Sequence, residues 1–287
     1  MRFAHVVPDG VDEPQLVLVE DDRAAIVSRM FDGAPSRLQH LIVGGDALLD
    51  RVRRSAPSAE WMPLGTPVFA SAVLDTPITI AIGLNYSAHS SELGLKADAA
   101  PTVFILWPGS LSGHRQTTSW PRSLSQSVDY EAELGVIIGR PARDVALENA
   151  LDHVWGYTVV NDITARDIQF SEAQWSRCKS FDGFTPTGPF VVTADEVPDP
   201  QDLHIWAIVD GKMVQDASTN QMIHPVAKLV SFLSQSATLL PGTLISTGSP
   251  GGAGYSRDPQ IFLRDRSTVT VGVDGIGELT TFCRILD

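Results

Sequence analysis

The 287-residue chain reads as an α+β protein, mostly β. A small N-terminal α+β unit is expected over 1–73, and a larger strand-rich domain over 74–287. Three observations predict this. Short apolar, strand-like runs outnumber helical patterns. The hairpin-type turns VDGK (209–212) and VDGIG (273–277) join pairs of such runs. Helical spacing is confined to two stretches, 38–55 and 225–236. Many strands with few helices fit a closed or rolled β architecture better than a doubly wound sheet.

In chain order, QLVLVE (15–20) and AAIV (24–27) are strands separated by the turn-prone DDR. LQHLIVGGDALLDRVRRS (38–55) has helical spacing with a Gly pair inside it. WMPLGTPVF (61–69) reads as a linker, and ITIAIGLNY (78–86) opens the second unit as a buried strand. LGVIIG (134–139), HVWGYTVVND (153–162), PFVVT (189–193), LHIWAIVDGKMV (203–214), TLISTG (243–248) and STVTVGVDGIGELTTFCRIL (267–286) continue the strand series. A helix over 225–236 places Pro225 in its first turn, with Val226, Leu229, Val230 and Leu233 on one face.

Composition excludes several functions. With 43% hydrophobic and 19% charged residues, the chain is too apolar for disorder. A net charge of −13 argues against nucleic-acid binding, which needs clustered Lys and Arg. The two cysteines, Cys178 and Cys283, are too few for a disulfide framework or a Cys-rich zinc site and are expected to be free thiols. No leader-like apolar core and no run of eighteen apolar residues occurs, so a soluble, cytoplasmic protein is expected, with no membrane partner. Dinucleotide, P-loop, zincin and nucleophile-elbow patterns are absent. GSPGGAG (248–254) lacks the GxGxxG spacing and reads as a turn or as a loop closing over a small ligand.

The strongest local signal is DYEAELGVIIG (129–139). Glu131 and Glu133 are two apart on an expected strand, so they share a face beside an apolar run. Either that face meets water, or a hard divalent cation sits between the carboxylates. Asp162, at the end of the apolar strand VWGYTVV, is placed as a third ligand. Lys179 is either a solvated surface residue or a cation beside the metal, able to bind an enolate oxygen. His89 and Glu92 are three apart on an expected helical turn. Such a Glu fixes the imidazole tautomer and raises its basicity, as a general base for water requires; a structural histidine is the other possibility.

Five stretches in order, GLNYSAHSSELG (83–94), DYEAELGVIIG, GYTVVNDITARDIQ, KSFDGFTPTGP and TNQMIHPVAKLVSFLSQSATLLPGTLISTGSPGGAG, together resemble the fumarylacetoacetate hydrolase family. The resemblance runs from about 78 to 285 and lies nearest to the acylpyruvate hydrolase and 2-hydroxyhepta-2,4-diene-1,7-dioate isomerase types. It implies a mixed β-sandwich roll with the site at its mouth, and a homodimer. It implies Mg²⁺ or Mn²⁺ (Ca²⁺ in some members) held by Glu131, Glu133 and Asp162. His89 and Glu92 match the lid dyad of members that cleave acylpyruvates, and Lys179 the active-site Lys. Arg166, Gln169, Tyr86, Thr247 and Gly248 match positions that contact substrate.

The implied reaction is C–C cleavage of an acylpyruvate or other 1,3-dicarbonyl through a metal-bound enolate, with the His–Glu pair activating water. Isomerisation, tautomerisation or decarboxylation of a β-keto acid would use the same site. A non-catalytic, small-molecule-binding relative is the remaining possibility. The chain departs from the family pattern in several places. Leu106 stands where many members carry Lys and is followed by Trp107, Ala88 replaces an acidic residue, Thr243 replaces Asp, and His224 replaces Phe. The loss at position 106 weakens the case for a doubly anionic substrate. His224 is either a second proton-transfer group or a helix-start residue.

Overall fold

Apolar runs and hairpin turns organise the described residues into two main sheets packed face to face and two further two-stranded sheets. The computed structural model describes residues 1–8, 10, 13–92 and 100–287. Leu93 and Gly94, the end of the first quoted motif, lie outside the described residues.

The larger sheet has eleven strands. Its centre is Ala132–Ile138, antiparallel to Val154–Asn161 on one side and to Leu244–Ser246 on the other. Thr79–Gly83 lies parallel to Leu244–Ser246, and Thr102–Leu106 forms the edge beyond it. The second sheet has five strands: Lys212–Ser218, His204–Val209, Thr268–Val273, Gly277–Leu286 and Thr117–Pro121.

Period-2 alternation explains the layering. Leu134 and Val136 point to the core shared with Ile205, Ala207, Val269, Val271 and Leu279 of the second sheet. Ile137 points the opposite way, to a core with Leu38, Leu41, Ile42 and Val52 of the N-terminal helices. Strands buried on both faces read as continuous apolar runs, and Ala132–Ile138 is buried throughout. The result is the α+β, mostly β sandwich that the sequence predicts.

Several boundaries differ from expectation. Arg2–Val7, Thr102–Leu106 and Thr117–Pro121 are strands that the sequence reading leaves out. The stretch 61–69 is not a plain linker, because Met62–Pro63 pairs with Arg23–Ile26 and Val68–Phe69 pairs with Arg2–Val7. Two-residue strands give no periodicity to read. The helical region 38–55 divides into Leu38–Val43 and Gly45–Ser55 at the Gly pair. Pro225 is the N-cap of the helix Val226–Ser236 rather than part of its first turn. The N-terminal strands join the large sheet through Arg2–Val7, which pairs with Val191–Thr193.

Candidate metal and acid–base site

Strand direction gathers the site. Ala132–Ile138 begins where its antiparallel neighbours Val154–Asn161 and Leu244–Ser246 end, and Thr79–Gly83 ends at the same edge. Glu131, Glu133, Asp162, Thr247 and the turn after Gly83 therefore meet, although they are far apart in sequence. Glu131 sits just before its strand rather than within it. Its backbone is held in strand-like register: Asp162 N–H donates to Glu131 O at 3.0 Å, and Glu131 N–H donates to Asn161 Oδ1 at 3.1 Å.

Oxygens of Glu131, Glu133 and Asp162 lie within 4.8 Å of one another, all buried. Lys179 Nζ donates to Glu131 Oε2 at 2.8 Å, Asp162 Oδ2 at 2.5 Å and Thr164 Oγ1 at 2.8 Å. Arg166 lies one layer behind. It donates to Asp129 Oδ2 at 2.9 Å, Gln169 Oε1 at 2.9 Å and Glu131 Oε1 at 2.7 Å. Four buried carboxylates, those of Asp129, Glu131, Glu133 and Asp162, thus face two buried cations.

The electrostatics follow from that imbalance. Burial, reinforced by Asp162 and Glu131, holds the Glu133 carboxyl well above the usual range. Burial also raises Asp162, to about 6, against the pull of Lys179. At Glu131 burial is outweighed by Lys179 and Arg166, which keep it ionised. Asp162 Oδ1 is buried without a hydrogen-bond partner among the described residues. An all-oxygen donor set with excess negative charge and an orphaned carboxylate oxygen fits a hard divalent cation.

The dyad lies above this cluster. Helix Ser87–Glu92 follows the strand Thr79–Gly83 after a short turn. His89 Nε2 is 3.4 Å from Glu131 Oε1, and its Nδ1 is 3.9 Å from Glu92 Oε2. Burial disfavours the imidazolium, but Glu131 and Glu92 outweigh it and hold the His89 pKa above its ordinary value. Glu92 accepts Gly252 N–H at 2.9 Å, so the helix rests on the Gly-rich loop (248–254). That loop is the seat of a short helix rather than a nucleotide cradle.

The other expected site residues take different places. Gln169 lines the cavity together with His89, Glu131, Glu133, Lys179 and Trp175. Arg166 is spent on internal partners. The Thr247 hydroxyl donates to Leu134 O at 2.8 Å and is turned into the sheet. Gly248 N–H donates to Glu133 Oε2 at 2.9 Å. Its φ of 95° favours glycine, and a Cβ there would sit 2.7 Å from Asn85 Cβ. The Tyr86 hydroxyl is buried without a partner among the described residues, and burial together with Glu133 raises its pKa. His224 is buried just before the N-cap Pro225, its N–H donating to Asn85 Oδ1 at 2.8 Å. Both cysteines are free and buried, and burial pushes Cys178 up to about 11. Among the described residues the cavity leaves about 10 Å³ for the centre of a water-sized sphere. Larger clefts lie at 45–195 and 209–264, away from the carboxylates.

Sequence reasoning passed over two residues that build the site. Asp129 opens the DYEAELG motif, yet its role is invisible there. It accepts N–H groups from Gly254 at 2.8 Å and Tyr255 at 3.1 Å while binding Arg166. Gln215 donates to Ser249 Oγ and Pro250 O, both at 2.8 Å, and clamps the root of the same loop. The only early signal was a polar residue beside each apolar run.

Known proteins share this fold. A Burkholderia ambifaria protein, provisionally named a hydrolase, is 42% identical over 280 residues, covering 97% of each chain. The solved fumarylacetoacetate hydrolase of Exiguobacterium antarcticum is 32% identical and superposes with a TM-score of 0.87 over 100% of both chains. Maleylpyruvate hydrolase from Sphingobium sp. SYK-6, solved with manganese(II) and pyruvate, is 26% identical with a TM-score of 0.84 over 100% of both chains. The 2-hydroxyhepta-2,4-diene-1,7-dioate isomerase of Mycobacterium marinum is 30% identical with a TM-score of 0.76, covering 99% of this chain and 98% of that one. Residues 79–283, which carry every carboxylate and base described above, match the fumarylacetoacetate (FAA) hydrolase C-terminal domain, and on that match the chain belongs to the fumarylacetoacetate hydrolase family.

Proposed function

We propose that the chain is a divalent-metal-dependent hydrolase cleaving a C–C bond in an acylpyruvate or another 1,3-dicarbonyl compound. One observation carries this reading: His89 stands between Glu92 and the carboxylate cluster, its Nε2 turned toward Glu131. A water between Nε2 and a substrate held at the cluster would be within reach of a general base.

Glu131, Glu133 and Asp162 would hold Mg²⁺ or Mn²⁺. When bound, the cation supplies Lewis acidity to a chelating 2-keto acid. His89 takes a proton from water, and Glu92 orients the ring from the Nδ1 side. Hydroxide adds to the distal carbonyl carbon. The C–C bond breaks, and its electron pair passes to the methylene carbon of the departing pyruvate unit. The three N–H groups of the Lys179 ammonium hold Glu131, Asp162 and Thr164, and one of them would exchange its partner for the enolate oxygen. The proton on His89 then quenches the carbanion, giving pyruvate and a carboxylic acid.

The isomerase from Mycobacterium marinum favours a second reading, isomerisation or decarboxylation on the same carboxylates. A His89→Ala variant separates the two. Hydrolysis should fall by about 10²–10⁴-fold while methylene proton exchange persists. Full retention of turnover would favour the second reading.

A homodimer is part of the proposal. Among the described residues the edge strand Thr102–Leu106 has no partner on its outer side and, with the next residue, exposes Val103, Ile105 and Trp107. Sedimentation should give twice the chain mass; a strictly monomeric species would contradict it. Among the described residues no helix is long and apolar enough to cross a membrane.

A further inference from the structure

The cavity beside the carboxylates has an aromatic side. Ile82, Gly83, Leu84 and Trp175 line it next to Lys179. The Trp175 indole meets the Phe104 ring edge to face, centroids 5.6 Å apart at 73°. Lys179 Nζ sits 5.5 Å from the centroid of that same Phe104 ring. Phe104 thus links the ammonium at the polar end of the cavity to the indole at the apolar end. Gly83 permits the approach, because a Cβ there would run into the Trp175 ring. Leu106, at the position where a cation was expected to be lost, is buried with Ala81 and Phe104, and Trp175 packs on that group.

The charges near this wall are already engaged. Lys179 and His89 are the basic groups among the described lining residues, and both face carboxylates. Arg166 is bound to Asp129, Glu131 and Gln169. Arg257 donates to backbone oxygens of Gly252 and Val214. A second substrate carboxylate placed against the indole would lose water and meet no unengaged cation among the described lining residues. An alkyl group there gains apolar contact.

We infer that Trp175 is the specificity-determining residue of this site, and that its substrates are acylpyruvates with a small, uncharged acyl group. The inference rests on the hydrolase reading above, for the 2-keto-acid end is what directs the acyl end toward the indole. The bulk of the Trp175 ring, held against Phe104 and Gly83, sets the size.

The test uses Mn²⁺-loaded wild-type protein and the variants Trp175→Ala, Trp175→Phe and Gly83→Ala. Three ligands are compared: acetylpyruvate, hexanoylpyruvate and succinylpyruvate, whose acyl end carries a carboxylate. Calorimetric binding and kcat/KM are both measured, with oxalate as a probe of the cation end alone. Wild type should prefer acetylpyruvate over both others. Trp175→Ala should shift the hexanoyl-to-acetyl ratio about tenfold or more toward hexanoyl, the scale of a few methylenes in an apolar pocket. Gly83→Ala, whose Cβ would collide with the indole, should also move the ratio. Oxalate binding should stay unchanged, and Trp175→Phe should fall between wild type and Trp175→Ala if the alanine variant folds poorly. An unchanged ranking in the Trp175 variants, or wild-type preference for succinylpyruvate, would overturn the inference. Binding that follows the expected ranking without cleavage would keep the wall and discard the hydrolase reading. No binding of any diketo acid would overturn both.

Discussion

The N-terminal end of the eleven-stranded sheet and its centre use burial differently. At the N-terminal end, Phe3, Leu16 and Leu18 pack on Leu38, Leu41 and Ile42, and the one buried ring with polar duties, His5, is neutral. Its Nδ1 faces Ala72 O at 3.2 Å and its Nε2 accepts Leu38 N–H at 3.2 Å, which caps the first helix. At the centre the same architecture buries four carboxylates with Lys179 and Arg166. The first arrangement follows the default of folding. The second runs against it, since burying charge is unfavourable unless every group is partnered. A sheet edge that carries such a cluster, short of positive charge, is organised to hold a cation.

The largest expected effect breaks the centre. Glu131→Gln with Asp162→Asn should abolish measurable Mn²⁺ binding in calorimetry; unchanged binding would refute the ligand assignment. Next comes Arg166→Met, which leaves Asp129 and Glu131 buried without their guanidinium. It should lower stability by about 3–5 kcal/mol in urea unfolding, as breaking a buried ion pair does. A loss under 1 kcal/mol would show that water reaches this layer.

The third prediction sharpens the N-terminal end. Burial depresses the His5 pKa from 6.5 to about 4. The unfolded chain therefore takes up this proton first as pH falls. The stability that neutral His5 contributes is complete above pH 6.5 and is lost on the way down to about 4. Its size is about 3 kcal/mol. Other groups titrate in the same window, including the raised Asp162, so the difference between wild type and His5→Gln isolates it. That difference should shrink between pH 6.5 and 4. The smallest effect is Arg53→Ala, on the surface pairs with Asp50 and Asp195, at under about 1 kcal/mol and weaker in high salt.

Much of the site was legible because its chemistry repeats at short range. Glu131 and Glu133 are two apart, Asp162 ends an apolar run, and His89 and Glu92 share a helical turn. Asp129 and Gln215 were not legible, since their partners at 249–255 become neighbours only after the sheet forms. The inward turn of the Thr247 hydroxyl was hidden for the same reason: Leu134 O, its acceptor, belongs to the neighbouring strand. In the fold, long apolar runs such as Val154–Asn161 announced themselves. Val68–Phe69 did not, because two residues carry no period and long-range pairing alone makes them a strand.

The most direct test of the central claim is proton NMR of the Mg²⁺-loaded protein with acetylpyruvate in deuterated buffer, run beside a chelator-treated control. Acetate and pyruvate should appear with Mg²⁺ and not in the control. Methylene deuteration without cleavage, or equal cleavage in the control, would contradict a metal-dependent C–C hydrolase.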